Sequence, residues 1–224
     1  MKLITFQSLN ALKDLLNKGY LEANSNFIDL KKSEATYSWV IEKMNKVLNN
    51  PHQIHYPIWC WVKCYNGICP PKHKGTPVKG FDVKITFNKP KKEIFITDFR
   101  RYSFLLNNMY IPKNLLDKER FDKKLQKLNI TKEELKALSR PDKYESHRMD
   151  KDYLNICNEI KKSFDLCITE ESDILQGCVW RIELDEIEKI EFLSDPKTCY
   201  GSLNYIRKNG KRSNWREDFY KKLK

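Results

Sequence analysis

Residues 2–7, KLITFQ, alternate polar and apolar side chains, the period-two pattern of a strand. On this pattern Ile4 and Phe6 face the core, and Thr5 and Gln7 project together from the other side. Leu9, Leu12, Leu15 and Leu16 then recur at helical spacing, with Ser8 placed to cap the helix and Gly19 to end it. A second helix is predicted over 33–49, capped by Ser33, with Tyr37, Val40, Ile41, Met44, Val47 and Leu48 on its inner face. Residues 56–65, 81–87 and 93–99 read as strands. RRYSFLLNNMY reads as a helix ended by Pro112, with Asn107 and Asn108 satisfying backbone groups at its end.

From 113 to 165 the pattern is helical and strongly charged. Thr131 and Glu134 stand at capping-box spacing. Residues 139–150 have the composition of a linker. In GCVWRIELDEIEKIEFL, Val179, Arg181 and Glu183 alternate with Cys178, Trp180, Ile182 and Leu184, as in a half-buried strand. Strands toward both ends therefore enclose helices in the middle. That order predicts an α+β fold with a mixed, mostly antiparallel sheet. It also predicts one domain over 1–224, with 113–165 as a helical insertion and 206–224 as a basic tail.

The net charge of +12 sharpens the reading of that tail. From Lys197 to Lys224 nine Lys and Arg face Glu217 and Asp218, a local balance of +7, more than half the excess. Such a segment attracts polyanions, so Arg207, Lys208, Lys211 and Arg212 are candidate nucleic-acid contacts, against the plainer alternative of a solvated helix. No run of about 18 apolar residues could cross a membrane, and the first ten residues turn polar too soon for a secretory signal. A soluble, cytoplasmic protein is expected.

Seven cysteines, an odd number, predict reduced buried thiols in preference to a disulfide framework. Cys60, Cys64, Cys69 and His73 could in principle make a tetrahedral zinc set. Strand geometry argues against it, because residues four apart in a strand lie about 13 Å from each other. The same strand presents Cys60, Val62 and Cys64 on one face and Trp59, Trp61 and Lys63 on the other. No metal site is expected. Neither spacing of a Gly-rich phosphate loop occurs.

Several motifs in order carry a resemblance: KLITFQS, YSWVIEKM, YPIWCW, ITDFRRYSFLLNNMYIP and ILQGCVWRIELDEIEKI. Together they resemble the bacterial family catalogued as domain of unknown function 3841, over about 2–111 and 174–193. The chain departs from that family's pattern at Arg100, where an Asp is usual, at Tyr102 for Trp, and at CPPKHKG for Pro-Asp-Leu-Arg. Cys60 replaces the family's usual alanine, which favours a small buried residue there.

More distantly, the opening TFQSLNALKDLLNKGYL is similar to that of ADP-ribosyltransferases that modify nucleic acids. This likeness implies a first strand lining a pocket for NAD and a late strand supplying the catalytic acid. The corresponding strand here starts near Gln176 and offers an amide, which cannot take a proton as a carboxylate can.

The resemblance and the residues together nominate Thr5, Gln7, Trp59, Trp61 and Trp180 for the cofactor, with Gln176 and Asp98 as catalytic candidates. Asp98 has a second role open to it, as cap of the following helix. Lys63, Arg100 and Arg101 join the tail as nucleic-acid candidates; an arginine pair in a first helical turn opposes the helix dipole and suits phosphate. His55, beside Tyr56 and Pro57 before the strand, is a further candidate. The leading expectation is a nucleotide-binding, ADP-ribosyltransferase-like protein. Its rival is a non-catalytic nucleic-acid-binding or interaction module, phage- or defence-related. For that rival, a chain lacking 206–224 is expected to lose its affinity for DNA or RNA, and the intact chain to bind less tightly as salt rises. Filter binding across a salt series checks both; full affinity in the truncated chain would remove the tail from the interface.

Overall fold

The computed structural model describes residues 1–23, 30–64, 82–137, 150–192 and 204–206, with 30–36, 136–137 and 204–206 described as backbone only. In chain order the elements are β1 (Lys2–Gln7), α1 (Leu9–Lys18), β2 (Tyr20–Glu22), α2 (Leu30–Val47), β3 (Ile58–Lys63), β4 (Val83–Asn88), β5 (Phe95–Asp98), α3 (Phe99–Leu106), α4 (Leu115–Lys127), α5 (Lys132–Ala137), α6 (Lys151–Ser163), β6 (Leu175–Val179), β7 (Arg181–Glu183), β8 (Ile187–Phe192) and β9 (Asn204–Ile206). The fold is α+β. The main sheet has the order β5-β6-β3-β1-β4-β8-β9, and β2 and β7 form a second sheet of two strands. Two compact units result. Unit 1 comprises Met1–Ser25, Val47–Phe95 and Gln176–Lys224; unit 2 comprises Asn26–Lys46 and Ile96–Leu175.

In unit 1 the first strand is central. β1 pairs antiparallel with β4 from Lys2↔Asn88 to Gln7↔Val83, and with β3 at Ile4↔Trp61. β4 pairs antiparallel with β8, and β8 with β9. Reading across these registers, Leu3, Val83, Ile85, Phe87, Ile190 and Phe192 share one fully buried face with Thr5. The expectation for β1 is therefore reversed: Thr5 is 1 % exposed, whereas Ile4 and Phe6 are only half-buried on the opposite face. Thr5 tolerates burial because its hydroxyl is satisfied in both roles. It donates to Trp59 O at 2.8 Å and accepts from Gln7 Nε2 at 2.8 Å.

The helix after β1 forms as its caps dictate. Ser8 Oγ accepts from Ala11 N at 3.2 Å, and Gly19 closes α1 at φ +86°, a left-handed conformation that favours glycine. Leu12, Leu15 and Leu16 supply its buried stripe. The carboxylate of Asp82 adds a second acceptor at the helix start, taking the Leu9 N–H at 2.8 Å. The Asp82 N–H itself donates to Gln7 O at 2.9 Å, just before β4 starts at Val83. β3 likewise starts at Ile58, after Pro57, which has no N–H to give a ladder.

A single half-buried strand from Cys178 onward is not what forms. β6 stops at Val179, and Arg181–Glu183 leave for the second sheet, pairing Tyr20↔Glu183, Leu21↔Ile182 and Glu22↔Arg181. The Arg181 guanidinium lies 3.5 Å from the Tyr20 ring centroid and pairs with Glu183 at 2.8 Å and Glu22 at 3.5 Å. Leu184 N donates to Gly19 O at 2.8 Å, which fastens the segment to the end of α1. At the other corner Lys89, 9 % exposed, gives Glu186 bonds of 2.7 and 2.9 Å, while the amino terminus donates to Lys89 O at 2.7 Å.

Unit 2 is helical and held at its helix ends. α2 begins at Leu30, so Ser33 lies inside it and is not its cap; Trp39, Val40 and Met44 are buried, while Val47 is 65 % exposed. α3 ends well before Pro112. Asn107 caps it and donates to Ser103 O at 2.8 Å, and Asn108 adopts φ 49° and donates to Leu135 O at 2.9 Å. The capping box forms as read: Glu134 N donates to Thr131 Oγ1 at 3.1 Å, and Thr131 N to Glu134 Oε2 at 2.6 Å. Asp150 caps α6; the remainder of the linker-like stretch lies outside the described residues. Between α4 and α6, Glu159 accepts from Arg120 at 2.8 Å and Lys124 at 2.6 Å. Arg120 also reaches Asp117 and the Tyr110 hydroxyl, whose ring stacks on Phe121 at 4.0 Å.

Two outcomes are expected from this packing. Gly177→Ala on β6 would place a Cβ 2.9 Å from Val62 Cγ2 and 3.0 Å from Cys60 Sγ and Ile94 Cγ2. Overpacking of this kind costs about 1–3 kcal/mol, measurable as a lower urea midpoint; an unchanged midpoint would mean the strands can part there. In unit 2, burial works against the charge of Glu159, and the hydrogen bonds from Lys124 and Arg120 together outweigh it, holding the carboxyl below its ordinary value of 4.5. A lowered folded value stabilises fully above the unfolded one and is lost as pH falls through the folded one. Glu159→Gln is therefore expected to lower stability near neutrality and to flatten the acid limb below about pH 4.5, followed by thermal unfolding across pH. Parallel acid limbs in the two proteins would count against it.

Candidate functional site

Strands β6, β3 and β1 are consecutive neighbours in the sheet. This order brings together residues far apart in the chain: Gln176 on β6, Trp59 and Trp61 on β3, and Thr5 and Gln7 on β1. They do not share one face. The pairing Ile4↔Trp61 puts the tryptophans on the side of Ile4 and Phe6, away from the core face of Leu3 and Thr5. A Cβ on Gly177 would point among Cys60 and Val62 on the core face, so its neighbours Gln176 and Cys178 turn to the tryptophan side. The outer face thus gathers Phe6, Trp59, Trp61, Lys63 and Gln176.

Exposure differs along this face. Lys63 is exposed, Trp59 and Gln176 are half-buried, and Trp61 is buried. The burial expected from the alternation of β3 is met at Cys60, which is buried, and at Lys63, which is exposed, but not in between, where Trp61 is buried and Val62 half-buried. Gln176 has a distinctive feature: its side-chain oxygen is buried and has no hydrogen-bond partner among the described residues. The same is true of Trp180 Nε1, just beyond the end of β6. A buried amide oxygen without a donor is costly, by about 1–3 kcal/mol, and a donor brought by a ligand or an ordered water would recover that cost. Thr5 belongs to the core and its hydroxyl is engaged internally. Gln7, half-buried at the end of β1, bonds Thr5.

The thiols divide into two kinds. Cys60, Cys157, Cys167 and Cys178 are free and buried, as expected, but Cys64 is disulfide-bonded, against the expectation of reduced thiols throughout. Burial pushes the Cys60 thiol well up, and its S–H donates to Gly177 O at 3.2 Å. Burial raises Cys178 in the same way, and in unit 2 burial, followed by the charge of Asp98, raises Cys167 to about 12. These groups are protonated at neutral pH, so none is an activated nucleophile. Neither Cys60 nor Cys64 offers a thiolate to zinc, and Cys69 and His73 lie outside the described residues. Among the described residues no three His, Cys, Asp or Glu side chains gather as a metal set.

The other nominated residues lie away from this face or outside the described residues. Asp98 caps α3, accepting from Arg100 N at 2.7 Å and Arg101 N at 3.3 Å. Arg101 donates to Leu166 O at 2.7 Å and stands 3.8 Å from Asp98, while Arg100 is exposed. His55 is exposed on the approach to β3. Arg207, Lys208, Lys211 and Arg212 lie outside the described residues.

Two positions that matter here were not singled out from the sequence. Gly177 lets β6 approach β3 closely, and its signal was a lone glycine in an apolar strand. Asp82, which helps fasten α1 to β4, left no signal, because its partner Leu9 is 73 residues away.

A family model described as "Domain of unknown function (DUF3841)" matches residues 2–188, and the chain belongs to that family. Neither a search of the curated proteins nor one of the solved structures returns a match.

Given their burial, Cys60 and Cys178 are expected to resist a maleimide in the native protein and to react once it is unfolded in urea. Peptide mapping by mass spectrometry reads each site separately. Rapid native labelling of Cys178 would show that the outer face of β6 opens.

Proposed function

We propose that unit 1 binds a nucleotide on the outer face of β6, β3 and β1, and that NAD is the first ligand to test. One observation carries the reading. The oxygen of Gln176, without a partner among the described residues, stands on the strand next to the tryptophan strand, on the same face as Trp59. An amide acceptor beside a half-buried indole suits a flat ring that bears an N–H donor, as a carboxamide or an exocyclic amine does. The ring gains stacking energy and the donor satisfies the amide oxygen.

In this reading Trp59 stacks, Gln176 orients and Lys63 attracts phosphate. An amide accepts no proton, so the site as described binds and does not itself supply a base. Transfer of ADP-ribose to a nucleic acid or protein is the enzymatic extension. It requires a carboxylate from elsewhere in the chain, and Asp98 is already engaged at its helix.

A second reading rests on the charge of +12, concentrated toward the end of the chain. It makes the protein a non-catalytic nucleic-acid-binding module, with the basic tail following the phosphates.

Titration with NAD, followed by thermal shift and calorimetry, tests the first reading. The cofactor is expected to raise the melting temperature. Gln176→Leu is expected to weaken binding about tenfold, the equivalent of one hydrogen bond of about 1.4 kcal/mol. Trp59→Ala should remove a stack worth about 1–3 kcal/mol. Incubation with labelled NAD and mixed DNA, RNA and protein then tests transfer. A chain that neither shifts with NAD nor transfers label, yet binds nucleic acid, would overturn the first reading in favour of the second.

A further inference from the structure

We draw no further inference here: the strongest candidate, the exposed apolar pair Leu115 and Leu116 at the start of α4, is an unpartnered surface patch in unit 2, and nothing in the structure shows what covers it.

Discussion

The hydroxyl of Thr5 stands at the centre of unit 1, giving its hydrogen to Trp59 O and taking one from Gln7 Nε2, both at 2.8 Å. That pair of bonds lets a polar side chain lie in the core face of the central strand. Once Thr5 turns inward, Leu3 does too, and Ile4 and Phe6 must turn out, because strand side chains alternate. β1 pairs with a strand on each side, so this choice propagates to both. Val83, Ile85 and Phe87 line up with the core face on β4, and Trp59 and Trp61 go outward on β3. A one-residue slip would reverse every one of these positions, so the register is strongly specified.

The candidate site inherits that geometry. The core face is closed by apolar contacts, and its polar members Thr5 and Gln7 bond each other. The outer face holds the groups with chemistry to offer, namely the indole of Trp59, the ammonium of Lys63 and the amide of Gln176. Gly177 leaves room beside β6 for Val62, Cys60 and Ile94, which a Cβ there would meet at 2.9–3.0 Å. The free thiols on these two strands, Cys60 and Cys178, fill space and stay protonated, which removes them from the chemistry.

Unit 2 is stabilised differently. Its helices stop and start at side chains that satisfy the free backbone groups: Asp98, Asn107, Asn114, Thr131 with Glu134, and Asp150. Each such cap contributes about 1 kcal/mol. Between α4 and α6 the charge network of Arg120, Asp117, Glu159 and Lys124 adds directionality more than energy, because its cations are largely exposed and screened.

Caps of this kind depend on residues three or four apart, and so several helix ends in both units were legible in the sequence, though the start of α2 was not. Ser8, Gly19, the Thr131–Glu134 box and the Asn107–Asn108 stop are local chemistry and formed where the residues stand. The α+β class and the facing of Trp59, Trp61 and Lys63 followed from periodicity. What periodicity could not assign was which side of an alternating strand is the inside. KLITFQ suits either answer, and the bond from Thr5 to Trp59, 54 residues away, selects one. The departure of Arg181–Glu183 to a separate sheet was hidden likewise, because Tyr20 and Glu22 have to be folded beside that segment before they can hold it. Caps and turns were readable along the chain because their signals act over one or two turns, whereas bounds set by distant partners, such as the break after Val179, were not. The tertiary structure alone decided the strand order that makes Gln176 and Trp59 neighbours, because that order depends on pairing between segments far apart in the chain.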